Sequence, residues 1–156
     1  MNRKSNGRLK MLALMLCMVL AAVTVLAAAG CAKKAEEEKP FPTTVYKGGT
    51  AEAPAELGQG AKSFTFSVTY KDGKKDVFSV KTDKTTVGAA LLELKIIAGE
   101  DSTYGLYVKR VNGEMLDFDA DNMYWAFYMN GAYADTGVDT TDITDGAEYS
   151  FVATKG

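Results

Sequence analysis

The chain has 156 residues, of which 18 are basic, 20 are acidic and none is histidine, so its formal net charge at pH 7 is −2. The absence of histidine removes the commonest general base and a common metal ligand, which argues against most enzymes. A slightly acidic chain is also a poor partner for nucleic acid, because phosphate binding requires clustered positive charge.

The first 30 residues have the layout of a secretory signal peptide. Four basic residues in the first ten positions precede a run from Met11 to Ala29 that is apolar except for Thr24. This run has 19 residues, close to the roughly 20 that a helix needs to cross a bilayer. A retained transmembrane anchor is therefore the alternative interpretation.

The end of the apolar run favours a lipoprotein. The sequence Ala28-Ala29-Gly30-Cys31 resembles the lipobox of bacterial lipoproteins, in which the cysteine is lipidated and becomes the mature N-terminus. The resemblance implies a signal peptide over residues 1–30, a lipid on Cys31, and an extracytoplasmic protein anchored by that lipid to the bacterial cell membrane. Cys17 would leave with the signal, so the mature chain would have no disulfide and no free thiol. Its charge would be 14 basic against 20 acidic residues, a net of −6.

Residues 31–62 are predicted to form the lipidated cysteine and a flexible linker. The stretches KKAEEEKPFP and KGGTAEAPAELGQG contain few apolar residues and all three prolines of the chain. Such a composition buries too little apolar surface to offset the entropy lost on ordering. Folding of residues 45–49 back onto the domain is the alternative.

From Ser63 onward the pattern is typical of a folded domain. SFTFSVTY alternates polar and apolar residues, which predicts a half-buried strand. Asp72-Gly73 provides a hairpin turn, and DVFSVKT returns as a second strand. The Asn112-Gly113 and Asn130-Gly131 turns predict two further hairpins, and GAEYSFVAT predicts a last strand.

One helix is predicted, over TTVGAALLELKIIAGE. Apolar residues recur there at helical spacing and form one stripe: Val87, Ala90, Leu91, Leu94 and either Ile97 or Ala98. Thr85 or Thr86 would cap its start, and Gly99 would end it in a left-handed conformation. Residues 63–156 are therefore expected to form one α+β domain, with the helix packed on a small, mostly antiparallel sheet.

Several segments of this domain resemble a known family: TVGAALLEL, YGLYVKRVNG, YWAFYMNG, TGV and DGAEYSF. They are similar to the transcobalamin-like C-terminal domain family, a bacterial domain of unknown function related to the C-terminal domain of the animal cobalamin carriers. The resemblance covers residues 63–154, and Tyr-Trp-x-Phe-Tyr-x-Asn-Gly at 124–131 is its most specific element. It implies a β-grasp-like fold and a ligand-holding face. Ala147 departs from the family, which usually has an acidic residue there.

The aromatic residues at 124–133 are the best candidates for a binding surface. Strand alternation directs Trp125, Phe127 and Met129 towards the core beneath the helix. Tyrosines on the other face, with the turn asparagine, are the candidate ligand-binding residues: Tyr124, Tyr128, Asn130 and Tyr133. Stabilisation of the sheet by cross-strand tyrosine pairs is the alternative.

The acidic segment DFDADN resembles the start of a calcium-binding EF-hand loop. That loop requires glycine at its sixth position and glutamate at its twelfth, where this chain has Asn122 and Tyr128. A solvated acidic loop is therefore expected over 117–122, and turn chemistry is expected for Asp139, Asp142 and Asp145. No metal site and no cofactor are predicted.

The leading hypothesis is a non-enzymatic, lipid-anchored, extracytoplasmic binding or interaction module. Its partner would be a protein, a glycan or a corrinoid, bound at the tyrosine face near Asn130-Gly131 with the loop at 102–107 nearby. The first alternative is a capture protein for a small, corrinoid- or cobalamin-like molecule that serves a membrane transporter. The second is a purely structural surface protein without a ligand.

Overall fold

The computed structural model describes residues 40–156. The predicted signal peptide, Cys31 and linker residues 32–39 lie outside the described residues. The strands are β1 (Ala55–Gly58), β2 (Lys62–Thr69), β3 (Lys75–Thr82), β4 (Ile97–Ser102), β5 (Gly105–Val111), β6 (Glu114–Met115), β7 (Met123–Met129), β8 (Ala132–Tyr133) and β9 (Glu148–Lys155), and the helices are α1 (Val87–Glu93) and α2 (Phe118–Asp121). Within residues 40–156, no helix has both the length and the apolar character needed to cross a membrane.

Six strands form one mixed sheet in the order β1-β3-β2-β9-β7-β8. Strands β2 and β9 are parallel neighbours at its centre, and each has an antiparallel partner on its other side, β3 and β7 respectively. A parallel central pair flanked by antiparallel strands, with a helix after the first hairpin, is a β-grasp-like arrangement. The predicted α+β class is therefore confirmed. Strands β4, β5 and β6 form a second, antiparallel sheet.

The core lies between the large sheet, helix α1 and the small sheet. Helix α1 contributes Val87, Ala90 and Leu91, none of which is more than 1 % exposed. Trp125 and Phe127 are also buried, as predicted from strand alternation. Met129, predicted on the same face, is 41 % exposed because it stands at the end of β7 beside the hairpin turn.

The helix is shorter than predicted. Thr86 caps it as expected, since its Oγ1 accepts the Ala89 N–H at 3.3 Å. It ends at Glu93, however, and the left-handed residue is Lys95 with a φ of 54°, not Gly99. Ile97 pairs with Val111 in the small sheet, so the apolar residues read as a last helical turn belong to strand β4.

The structure differs from the predicted flexible linker over residues 43–58. Strand β1 pairs in parallel with β3, and the Thr44 N–H donates to the Lys95 carbonyl at 2.7 Å. The half-buried Tyr46 side chain packs against the core, and its hydroxyl donates to the Leu94 carbonyl at 2.7 Å. Backbone hydrogen bonds and one aromatic side chain thus order a segment whose composition alone predicts disorder.

Candidate functional site

A cavity of about 340 Å³ opens between strand β5 of the small sheet and strand β7 of the large sheet. Half of its lining residues are aromatic: Tyr104, Tyr107, Tyr124, Trp125, Phe127, Tyr133 and Phe151. The other lining side chains are aliphatic, small or hydroxyl-bearing, and none of the lining residues is charged. A concave, largely apolar space of this kind is the usual form of a small-molecule site.

The cavity exists because β8 covers only the end of β7. Strand β8 pairs with Tyr128 and Met129, and after it the Ala134 N–H donates to the Phe127 carbonyl at 3.0 Å. Beyond that point no strand among residues 40–156 is paired with this edge of β7. Tyr124 and Trp125, although they alternate along the strand, therefore both border the same opening.

The turn between β4 and β5 forms the opposite rim. Ser102 Oγ donates to the Gly105 carbonyl at 2.6 Å and accepts the Tyr104 N–H at 3.2 Å, which holds this turn closed. Gly105 has a φ of 100°, and a Cβ atom there would lie 2.7 Å from Asp139 Oδ1. Only glycine therefore lets the turn pack this closely against the 135–141 loop.

Two tyrosines stand at the mouth of the cavity. Tyr104 is 92 % exposed and Tyr133 is 59 % exposed, so each can present ring surface to a ligand. The Tyr133 ring packs edge-on against Tyr128, with centroids 5.5 Å apart. Partial burial, and then the adjacent Tyr124 hydroxyl, raise the pKa of Tyr133 above its usual value.

The four candidate residues from the sequence do not all reach the cavity. Tyr124 and Tyr133 line it, whereas Tyr128 contacts it only through the Tyr133 ring. Asn130 lies in the hairpin turn with a φ of 49°, and its Oδ1 accepts the Glu148 N–H at 2.9 Å. Its side chain holds β9 against the turn.

Most of the cavity wall that faces strand β7 was not predicted from the sequence. Tyr104, Leu106 and Tyr107 come from the β4–β5 hairpin, which the sequence placed only near the tyrosine face. The two tyrosines of TYGLY were a usable signal. The predicted helix extended to Gly99, however, so no strand was expected at 97–102 to carry this turn to the mouth.

The tyrosine hydroxyls of the cavity differ from those of Tyr46, Tyr70 and Tyr149. Tyr46, Tyr70 and Tyr149 each donate their hydroxyl to a carbonyl or carboxylate, at 2.7, 2.8 and 3.1 Å. Within residues 40–156 the hydroxyls of the four tyrosines that line the cavity make no bond to a carbonyl, a carboxylate or a backbone N–H. They remain available to water or to a ligand.

Two other polar groups near the cavity lack partners within the described part of the chain. The indole Nε1 of Trp125 is buried without a hydrogen-bond partner. Asp139 Oδ1 is likewise buried and unpaired, packed against Gly105 and Gly137 rather than lining the cavity.

No group of three or more acidic or cysteine side chains suitable for a metal ion occurs in residues 40–156. The EF-hand-like segment contains helix α2 instead of an open loop, and Asp117 caps this helix by accepting the Asp119 N–H at 3.0 Å. Asp119 and Asp121 are exposed. The residues present therefore do not fit an EF-hand calcium site.

The chain is similar to proteins with little functional description. A family described as Domain of unknown function (DUF4430) matches residues 84–151. This match lies within the region that resembles a bacterial domain of unknown function. No curated protein matches the chain.

Two solved structures are similar to the chain. One is a protein of Ruminococcus gnavus ATCC 29149 whose proposed role is metal binding; it is 28 % identical, with 62 % of this chain and 99 % of that chain covered and a TM-score of 0.59. The other is haptocorrin in complex with Cbi, at 18 % identity over 64 % of this chain and 26 % of that chain, with a TM-score of 0.46.

Proposed function

We propose that this protein is a non-enzymatic binding module, anchored outside the cytoplasm by a lipid on Cys31, whose ligand site is the cavity between β5 and β7. The observation that carries the proposal is the uncharged aromatic cavity with two exposed tyrosines, Tyr104 and Tyr133, at its mouth. Its volume of about 340 Å³ is near the lower end of the roughly 300–1,000 Å³ range of small-molecule sites. A small molecule, or one end of a larger one, is therefore the expected ligand.

A binding role is favoured over catalysis by the residues that line the cavity. General acid–base and nucleophilic catalysis rely mostly on histidine, carboxylates, cysteine or lysine, and none of these lines it. The chain contains no histidine at all. The proposed role of the Ruminococcus gnavus neighbour is metal binding, which the lining of this cavity does not favour. A bare metal ion is not the ligand expected here, because the cavity supplies no carboxylate, thiolate or imidazole.

The proposed anchoring rests on Ala28-Ala29-Gly30-Cys31 and on the signal-like residues before it. Eight residues separate Cys31 from Pro40. Fully extended, this length of chain reaches at most about 30 Å. Because residues 43–58 belong to the folded domain, the tether would hold the domain close to the membrane surface. A ligand captured there could be handed to a membrane transporter.

The alternative ligand is a corrinoid, which the family resemblance implies. A corrinoid is much larger than the cavity, so the cavity could hold only one edge of it. No imidazole of this chain could coordinate its cobalt, since histidine is absent.

The test is a ligand screen on the full chain, purified in detergent and followed by the fluorescence of its single tryptophan. Trp125 borders the cavity, so a ligand bound there should change its emission. The screen would contain small neutral and charged organic molecules, cobalamin and divalent metal ions. We expect an organic ligand whose affinity falls at least about tenfold, or 1.4 kcal/mol, in Tyr104→Ala and Tyr133→Ala.

Leu92→Ala is the control, because Leu92 is an exposed apolar residue on helix α1, outside the cavity. It should bind like the wild type. A ligand whose affinity is unchanged in both tyrosine variants would place the site elsewhere and contradict the proposal.

A further inference from the structure

We propose that the cavity receives an uncharged sugar ring, stacked on Tyr104 and Tyr133 and hydrogen-bonded by the tyrosine hydroxyls. This inference rests on the proposed function and adds the chemical class of the ligand. It follows from three features of the lining: its lack of charge, its tyrosine hydroxyls and its exposed ring faces.

The lack of charge favours a neutral ligand. No acidic or basic side chain lines the cavity. The nearest ammonium group, Lys109 Nζ, lies 5.4 Å from the centre of the Tyr107 ring, but it is paired with Glu100 at 3.2 Å and Asp117 at 3.6 Å. A charged ligand entering the cavity would lose its hydration without gaining a counter-charge, which is costly.

The hydroxyls favour a ligand that is itself rich in hydroxyl groups. Four of the lining residues are tyrosines whose hydroxyls have no carbonyl, carboxylate or backbone partner within residues 40–156; those of Tyr124 and Tyr133 interact with each other. Each can both donate and accept, as can the hydroxyls of a sugar. A purely apolar ring would displace the water from these groups and leave them unpaired, which lowers affinity.

The exposed rings provide the remaining part of a sugar site. The C–H face of a pyranose is apolar and flat enough to lie on an aromatic ring, and Tyr104 and Tyr133 present rings that are 92 % and 59 % exposed. Tyr133 is held in place by its edge-on contact with Tyr128, so little ordering is needed before it binds. A volume of about 340 Å³ suits one ring with its substituents.

Asp139 is the group that could reverse the preference for a neutral ligand. Its Oδ1 has no partner within the described residues and lies beside Gly105 and Gly137, at the rim. It does not line the cavity. A sugar bearing an ammonium group would nevertheless reveal any attraction from this carboxylate.

The experiment compares three sugars on the full chain in detergent, by Trp125 fluorescence and by saturation-transfer NMR. The probes are N-acetylglucosamine and glucose, which are neutral, and glucosamine, which carries an ammonium group on the same ring. We expect both neutral sugars to bind and glucosamine to bind at least about tenfold more weakly. Tyr104→Phe and Tyr133→Phe, which keep the ring, should weaken binding less than the alanine variants. Leu92→Ala, outside the cavity, should not change it.

The outcomes separate this inference from the proposed function. If the neutral sugars fail to bind, while another organic molecule binds and is sensitive to Tyr104→Ala, the sugar class is wrong and the binding site stands. If no organic molecule binds in a manner sensitive to Tyr104→Ala, both proposals fail. Equal or tighter binding of glucosamine, lost in Asp139→Asn, would show a cation-selective site and overturn the inference. Tyr104 is almost fully exposed, so its variants should fold normally.

Discussion

Asn112 and Tyr46 lie 66 residues apart in the chain and are joined by two hydrogen bonds. The Tyr46 N–H donates to Asn112 Oδ1 at 2.7 Å, and Asn112 Nδ2 donates to the Tyr46 carbonyl at 3.0 Å. Asn112 Nδ2 also donates to the Tyr70 hydroxyl at 2.6 Å. The buried Asn112 side chain, in the β5–β6 turn, thus makes the hydrogen bonds to the Tyr46 backbone that a neighbouring strand would otherwise make.

Replacement of Asn112 should therefore destabilise the domain. We expect Asn112→Gly to lower the free energy of unfolding by about 2–3 kcal/mol, because the backbone groups of Tyr46 lose their partners. Asn112 has a φ of 43°, so Asn112→Ala should cost about 1 kcal/mol more than the glycine variant. Urea unfolding measures both values. A glycine variant within about 0.5 kcal/mol of the wild type would show that the bonds to Tyr46 contribute little.

Removal of the segment at 40–58 should expose the edge of strand β3. A chain starting at residue 59 loses the β1–β3 pairing and the contacts of Tyr46 with the core. We expect a lower urea midpoint than for a chain starting at residue 40, and association through the exposed edge. Equal midpoints and equal monomer content by size-exclusion chromatography would contradict this expectation and support the linker prediction.

The pair formed by Tyr128 and Tyr133 should contribute modestly to stability. Edge-on aromatic pairs contribute about 0.5–1.5 kcal/mol beyond their buried area. A double-mutant cycle with Tyr128→Ala and Tyr133→Ala should give a coupling free energy in this range. Tyr133→Ala alone should cost less than about 1.5 kcal/mol, since the side chain is 59 % exposed. A coupling near zero would mean that the contact does not position Tyr133.

Stability should fall at alkaline pH partly because of Tyr70. Burial, and the neighbouring Asp76 carboxylate to which its hydroxyl donates, raise the pKa of Tyr70. In the unfolded chain tyrosine ionises near pH 10. Tyr70 therefore contributes fully to the free energy of unfolding below about pH 10. Above that pH the contribution is lost, because the unfolded state releases the proton while the folded state still holds it. Tyr70→Phe should flatten the decline of unfolding free energy between about pH 10 and 12. If the free energy of unfolding of Tyr70→Phe fell with pH as steeply as that of the wild type, the assignment of this decline to Tyr70 would be wrong.

The proposed lipid anchor can be tested with the two cysteines. In a bacterial host, Cys31→Ser should abolish incorporation of labelled palmitate and release the protein from the membrane fraction. Cys17→Ser is the matched control and should retain both properties, because Cys17 lies within the predicted signal. Membrane retention of Cys31→Ser without label would favour the transmembrane alternative.

Much of the fold could be predicted because its signals are local. Strand alternation at 63–70 and the Asn-Gly turns at 112–113 and 130–131 depend on neighbouring residues only, and the structure has β2, β5–β6 and β7–β8 there. The end of the helix could not be predicted in this way. Ile97 suits either a helical stripe or a strand, and its pairing with Val111 decides between them.

The candidate site was predicted in part. Alternation identified Trp125 and Phe127 as core residues, and both are buried. Of the two tyrosines predicted at the surface, Tyr133 is exposed and Tyr124 is half-buried. It could not show that the cavity lies at the open edge of β7, because that depends on the shortness of β8 and on a second sheet.

By itself, the amino-acid sequence determined the α+β class, most of the strands and their turns, and the absence of imidazole chemistry, because these follow from residue type and spacing along the chain. Only the tertiary structure decided that residues 43–58 belong to the domain, since the Asn112 amide and the edge of β3 that order them are distant in sequence. The tertiary structure also determined where the cavity forms, because its two walls come from hairpins that are brought together by packing.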